Sequence, residues 1–276
     1  MENNSKDESI SMKKGLKIGL KTLVACFVGI MFVNCFIFVL FPKMSLKIND
    51  TLGLNKVKEL NYQMIYNRSS KITDLYNVIL YEGEIGNYEK ELSYIDEMIS
   101  RKDYGEFCEE MDKVSYESTS DKNLIPYSVN VNGYLMARKV VCLYNLKIDG
   151  IDTYVYRQTS LGKFSEYSFS AYVDLIYNDD SLENAQKKEK LSLLMSMPDT
   201  SGETHEELIE ARIENIKNAL KIEEDKEKQI SLQYTLTRIY RSRYYVFDVL
   251  GDETKKQENN DLFVYARLKL NEMIDL

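Results

Sequence analysis

Apolar residues are laid along this chain in two ways. From Thr22 to Phe41 they run almost without interruption, TLVACFVGIMFVNCFIFVLF, twenty residues with no charge. Beyond Pro42 they recur at helical intervals. Leu52, Leu54, Val57, Leu60 and Met64 predict a helix broken near Gly53. Ile72, Leu75, Tyr76, Ile79 and Leu80 share one helical face, and that helix ends near Gly83 or Gly86. Tyr88, Leu92, Ile95 and Ile99 form the stripe of the next, so the two read as an antiparallel αα-hairpin. Asp103 with Glu106 resembles a capping box, and it opens a third helix with Tyr104, Phe107, Cys108 and Met111 on one face.

Residues 115–128, SYESTSDKNLIPYS, are polar and carry Pro126, so they read as an internal linker and a sub-boundary. The stretch 138–158 points two ways. Tyr134 to Ile148 is apolar nearly all round, as a buried helix would be. Asp149-Gly150 between β-forming residues is a hairpin cue. Helical neighbours on both sides favour helix–turn–helix. Phe164, Tyr167, Ala171 and Leu175 predict a helix that turns at Asn178-Asp179-Asp180, after which Ser181 caps another. Thr204 with Glu207 is a capping box. After the charged segment Lys221–Lys228, a long Tyr-rich helix runs from about Gln229 to Leu250 and stops at Gly251-Asp252. A last helix holds Leu262, Val264, Leu268 and Met273. The fold class expected is all-α.

The run 22–41 is long enough to cross the ~30 Å hydrocarbon core of a bilayer. A cleaved signal peptide needs a shorter apolar core and a small-x-small site, and Val39-Leu40-Phe41-Pro42 supplies none. Leu23-Val24-Ala25-Cys26 spells a lipobox, but no apolar region precedes it. The segment therefore reads as a retained transmembrane helix, with 1–21 a basic tail, 42–69 a juxtamembrane helix or linker, and 70–276 a helical domain. Lys13, Lys14, Lys17 and Lys21 on one side against Lys43, Lys47 and Lys56 on the other favour the N-terminus inside. The expectation is a single-pass protein of the cytoplasmic membrane with its domain outside.

Charge narrows the partners. The chain holds 36 basic and 44 acidic residues, net −8. Five Lys and three acids lie in residues 1–42, so 36 − 5 = 31 basic and 44 − 3 = 41 acidic residues remain, net −10. Such a domain is a poor ligand for nucleic acid, whose binding rests on phosphate neutralisation. Candidate chemistry is sparse. The single His205 lacks the second His of a zinc H-E-x-x-H site and reads as an exposed first-turn residue. No Cys/His cluster has metal spacing, no phosphate-binding Gly-rich loop is present, and Cys108 and Cys142 read as separate buried thiols. The sequence therefore predicts no enzyme, no cofactor and no metal. One basic–aromatic cluster stands out on the long helix: Arg238, Arg241 and Arg243 with Tyr240, Tyr244 and Tyr245. Arg238, Arg241, Tyr240 and Tyr244 are the candidate partner-binding residues, an Arg clamp for a carboxylate. The competing reading is a helix face whose arginines pair with the domain's own acids, with Tyr in the core.

Helix pairs begin near Lys71, Asn130, Ser165 and Glu203. Leu75 and Val78, followed by Gly86-Asn87-Tyr88-Glu89-Lys90, resemble the first helix and turn of a tetratricopeptide (TPR) repeat. Leu236-Thr237 with Tyr240 resembles another first helix. The pattern departs at Ile79 and Thr237, where the repeat has Gly, at Glu82, which occupies its aromatic position, and at Glu91, where it has Ala. The resemblance implies a superhelix of helix pairs with a peptide-binding face. Together these readings predict a membrane-anchored bacterial envelope protein that acts as an interaction scaffold or accessory subunit. The alternatives are a ligand-sensing regulatory domain and a cell-wall hydrolase with paired carboxylates.

Overall fold

The computed structural model describes residues 21–25, 28–29, 32–33, 36–118, 131–151, 154–155, 166–198 and 202–275. These residues are overwhelmingly helical. No strand occurs among them, and the sole extended pairing is an isolated bridge between Pro198 and Thr204. The chain divides into two compact units, Met1–Tyr81 and Glu82–Leu276.

In the first unit the described residues from 21 to 40 are helical and expose their apolar side chains, Phe32 to 75% and Leu23 to 69%. Among the described residues no helix is long and apolar enough to cross a membrane. Helix α1 (Pro42–Thr51) starts on Pro42, whose missing N–H and fixed φ suit a first helical turn. Gly53, at φ +65°, makes the turn to α2 (Asn55–Ser69), so the break near Gly53 is found. The face that the two helices bury differs from the expected stripe. Ser45, Asn49 and Asn61 are fully buried, and the Asn49 amide donates to Ser45 Oγ at 3.0 Å. Leu52, Leu54 and Leu60 are exposed instead. Helix α3 (Ile72–Glu84) follows and buries the predicted Leu75, Tyr76 and Ile79. Tyr81, at the edge of this unit, donates its hydroxyl to the Asn55 carbonyl at 2.7 Å.

The second unit contains α4 (Tyr88–Ser100), α5 (Tyr104–Ser118), α6 (Val131–Asn145), α7 (Glu166–Asn178), α8 (Asn184–Ser196), α9 (His205–Ile222), α10 (Lys226–Leu250) and α11 (Glu253–Asp275). Helix α5 takes in residues 115–118 of the segment read as a linker; 119–128 lie outside the described residues. After α6 the chain turns through Lys147 and Gly150, both at positive φ, and is helical again at 151 and 154–155. The Asp149-Gly150 pair thus joins helices and not strands. Ser181 is not the cap of α8. Its N–H and hydroxyl both donate to Asp179 Oδ1, and Glu183 holds the N-cap position, its N–H bonded to Gln186 Oε1 at 2.9 Å. The capping box at α9 is present, with Glu207 N–H donating to Thr204 Oγ1 and Thr204 N–H to Glu207 Oε2 at 2.7 Å.

Helix α10 begins at Lys226, earlier than expected, because Asp225 caps it by accepting from the N–H groups of Glu227 and Lys228. It ends at Gly251, φ +78°, whose N–H returns to Phe247 and Asp248. It packs on α7, α8, α9 and α11, and α7 packs in turn on α6 and α8. Tyr172, Phe169, Ile176, Leu191, Leu194, Ile209 and Ile216 are almost wholly buried and form one core with Ile239, Val246 and Phe247 of α10. Each such side chain contributes about 1.5–3 kcal/mol relative to exposure.

Candidate functional site

The α10 cluster does not act as one patch. A helix turns 100° per residue, so Arg238 and Arg241 share a face while Tyr240 lies on the far side. Arg241 meets Asp174 of α7, Nη2 to Oδ2 at 2.6 Å. The Arg238 guanidinium lies 5.3 Å from the centroid of the Tyr167 ring, and only 7% of the residue is exposed. Arg243 turns to α9 and pairs with Glu210 at 2.5 Å. Tyr240 is buried at 3% and belongs to a different cavity. Tyr244 is half-buried and leans on Tyr245, which stacks on Tyr177 with ring centroids 4.1 Å apart. Each of the three arginines therefore meets a carboxylate or ring of a neighbouring helix, and Tyr240 sits in the core.

What α6, α7 and Arg238 enclose is a cleft of about 650 Å³. Its polar walls are Arg138, Asn145, Asp174, Asn178, Asp179 and Arg238, with Tyr134 and Tyr144 beside them. Arg138 makes a bidentate pair with Glu91 of α4, at 2.6 and 2.7 Å, and Glu91 is fully buried. Burial works against the Arg138 charge, but the Glu91 hydrogen bonds and charge outweigh it and raise its pKa. Burial likewise raises Asp174 above the ordinary carboxylate value, against the opposing charges of Arg241 and Arg238. Asp179 is held down at about 2 by hydrogen bonds from Ser181 and then from the Tyr144 hydroxyl. The cleft thus carries two cations and two carboxylates held in different electrostatic states.

Asp174, Asp179, Glu91 and Arg138 are not among the site residues that the sequence reading names. Asp174 carried a usable signal, as the lone charge in Phe169–Tyr177, FSAYVDLIY. Glu91 carried another, a charge where the helical-repeat pattern has Ala. His205 is a correction: it is buried to 1%, not exposed. It stands one turn before Ile209 and shares the inward face of α9 with Ile213 and Ile216. Among the described residues Cys108 and Cys142 form no disulfide; Cys142 is buried and Cys108 half-buried, and burial raises the Cys142 pKa. Among the described residues no group of three or more His, Cys, Asp or Glu side chains is placed to hold a metal ion. No family model, characterised protein or solved structure matches the chain.

Proposed function

We propose that the chain is a single-pass membrane protein, anchored by residues 22–41 with its N-terminus inside, whose helical part is a TPR-like interaction scaffold outside a bacterial cytoplasmic membrane. The observation that carries this is that the described residues between 21 and 40 are helical and present Leu23, Val24, Phe32, Val33 and Phe36 outward. Apolar side chains exposed along a helix call for a non-aqueous surround. Lys13, Lys14, Lys17 and Lys21 ahead of it supply the charge bias for orientation. The burial of Ser45, Asn49 and Asn61, with Met44 and Leu60 exposed on the same two helices, fits a segment next to lipid.

The scaffold reading places a protein partner in the cleft bordered by Arg238, with Arg241 and Tyr244 on the same helix and Tyr240 supporting from the core. An acidic domain with mixed charges in one cleft suits a peptide that carries both signs. A second reading, a ligand-sensing domain, is favoured by the cleft volume, which falls within the ~300–1,000 Å³ of small-molecule sites.

The test is alkaline extraction of membranes together with a reporter fused to the C-terminus. The chain is expected in the extracted membrane pellet with the reporter active outside the cytoplasm. Release by alkali sinks the anchor, and a cytoplasmic reporter sinks the topology. Pull-down from membranes with residues 22–41 intact then separates scaffold from sensor: a protein lost on Arg241→Ala supports the first, and none recovered supports the second.

A further inference from the structure

A second cavity, of about 410 Å³, opens between α9, α10 and α11. Leu220, Leu236, Leu262 and Ala266 give it apolar walls. Lys217, Lys221 and Lys269 border it against one carboxylate, Glu214. On a domain of net charge −10 this is a local reversal of sign. None of the three lysines is ion-paired among the described residues. Lys221 donates to the Asn218 amide oxygen at 2.9 Å, and Lys269 sits 5.0 Å over the Tyr265 ring. Glu214 is engaged by the Asn218 amide at 3.3 Å. Tyr240 lines the cavity, is 3% exposed, and has a buried hydroxyl with no hydrogen-bond partner. Gln233 in the same wall is already committed to the Ala266 carbonyl at 2.9 Å. Apolar surface continues outside on α11, where Tyr265 is 58% and Leu268 57% exposed.

We propose that this cavity binds an amphiphilic carboxylate, a medium-chain fatty anion. Its hydrocarbon lies along the Leu and Ala walls and out over Tyr265. Its carboxylate meets the lysines and provides the acceptor that the Tyr240 hydroxyl lacks. An apolar wall alone would accept any hydrocarbon; the lysines select the anion, since like charge at a rim disfavours a cation and an alcohol gains nothing from them. The proposal is independent of the scaffold reading. It concerns another face of α10, and the cleft by Arg238 takes no part in it.

The full chain in bilayer nanodiscs is photolabelled with a diazirine analogue of octanoate, and the labelled peptides are mapped by mass spectrometry. Label is expected in 214–222, 233–240 and 262–269. Octanoate should compete, while octanol and octylamine should not. Replacing Lys217, Lys221 and Lys269 together by Glu should cut labelling about tenfold, three exposed charge contacts being removed. These side chains are solvent-exposed, so helix content by circular dichroism should hold; the single variant Lys269→Glu, expected to lower labelling about threefold, serves if it does not. Labelling that stays in residues 22–41, competition by octanol equal to that by octanoate, or labelling indifferent to the lysine variants would each overturn the assignment. So would competition by an apolar peptide in preference to octanoate.

Discussion

The residue that departs furthest from the helical-repeat pattern, Glu91, explains itself through its partner. A small side chain there would let two helices close together. Glu91 instead reaches Arg138 with both oxygens while fully buried, and Gly83 leaves room for it: a Cβ there would stand 2.9 Å from Glu91 Oε1. Removing one member of such a pair strands the other charge. Glu91→Ala should cost about 3 kcal/mol of the second unit's stability, read as a lower urea midpoint. The double variant Glu91→Leu/Arg138→Met should lose less, since an apolar pair has no charge to strand. Asp179 makes a different residue-scale prediction. Its folded pKa of about 2 lies below the ordinary aspartate value of 3.8. Its contribution is therefore whole above about pH 4 and is lost as the pH falls through 2. Asp179→Asn should lower the thermal midpoint at pH 7 and flatten its fall between pH 4 and pH 2, the two proteins converging at the acid end. An undiminished acid slope would put the titration elsewhere.

Helices were legible where periodicity, caps and breakers agreed. Leu75, Tyr76 and Ile79 of the α3 stripe, the Thr204–Glu207 box and the Gly251 stop are found in place, while α4 buries Glu91, Ile95 and Met98, so that of its expected stripe only Ile95 is fully inside. Legibility failed where a local signal competes with packing that sequence spacing does not show. The hairpin cue at Asp149-Gly150 is the exception, since helical neighbours outweigh it and the described residues on both sides are helical, as the sequence reading favours. Ser181 could cap a helix, but Asp179 claims both of its donors. The leucines of 52–64 have no buried face to occupy, because Ser45, Asn49 and Asn61 hold it. The cleft was the least legible part. Its walls come from α6, α7 and α10, and the sequence marked only the α10 residues. The close approach of α6 to α7 is set by one residue, Gly133. A Cβ there would come within 2.5 Å of Tyr167 Cδ2, on a ring that is 4% exposed and lies under Arg238. Gly133→Ala must push α6 off α7 or displace that ring. It should cost about 1–3 kcal/mol, more than any gain in helix propensity returns. Retained stability in urea would mean that the ring swings aside freely.

At the scale of the second unit, one helix gathers the others. The hydrophobic core is shared among α6, α7, α8, α9, α10 and α11, and α10 packs on four of them, α7, α8, α9 and α11. In stacked helix pairs each pair touches the pairs next to it; α10 pairs with α9, meets α7 and α8 of the pair before, and packs on α11 after it. The consequence is dynamic. A segment held on several sides opens only when its neighbours have left, so its amides exchange with solvent at the cost of global unfolding, while a helix held on one side frays alone. In hydrogen exchange on the full chain, the slowest amides should cluster in 235–247 of α10, where Ile239, Tyr240, Val246 and Phe247 are nearly closed to solvent. Those of α5, which packs on α4 and α6 without joining the main core, should exchange much sooner. Ile239→Ala should then accelerate exchange in α7, α8, α9 and α11 together, by the ~2–5 kcal/mol typical of a core truncation. If only α10 responded, the helices around it would be independently stable, and the unit would behave as a chain of separable repeats.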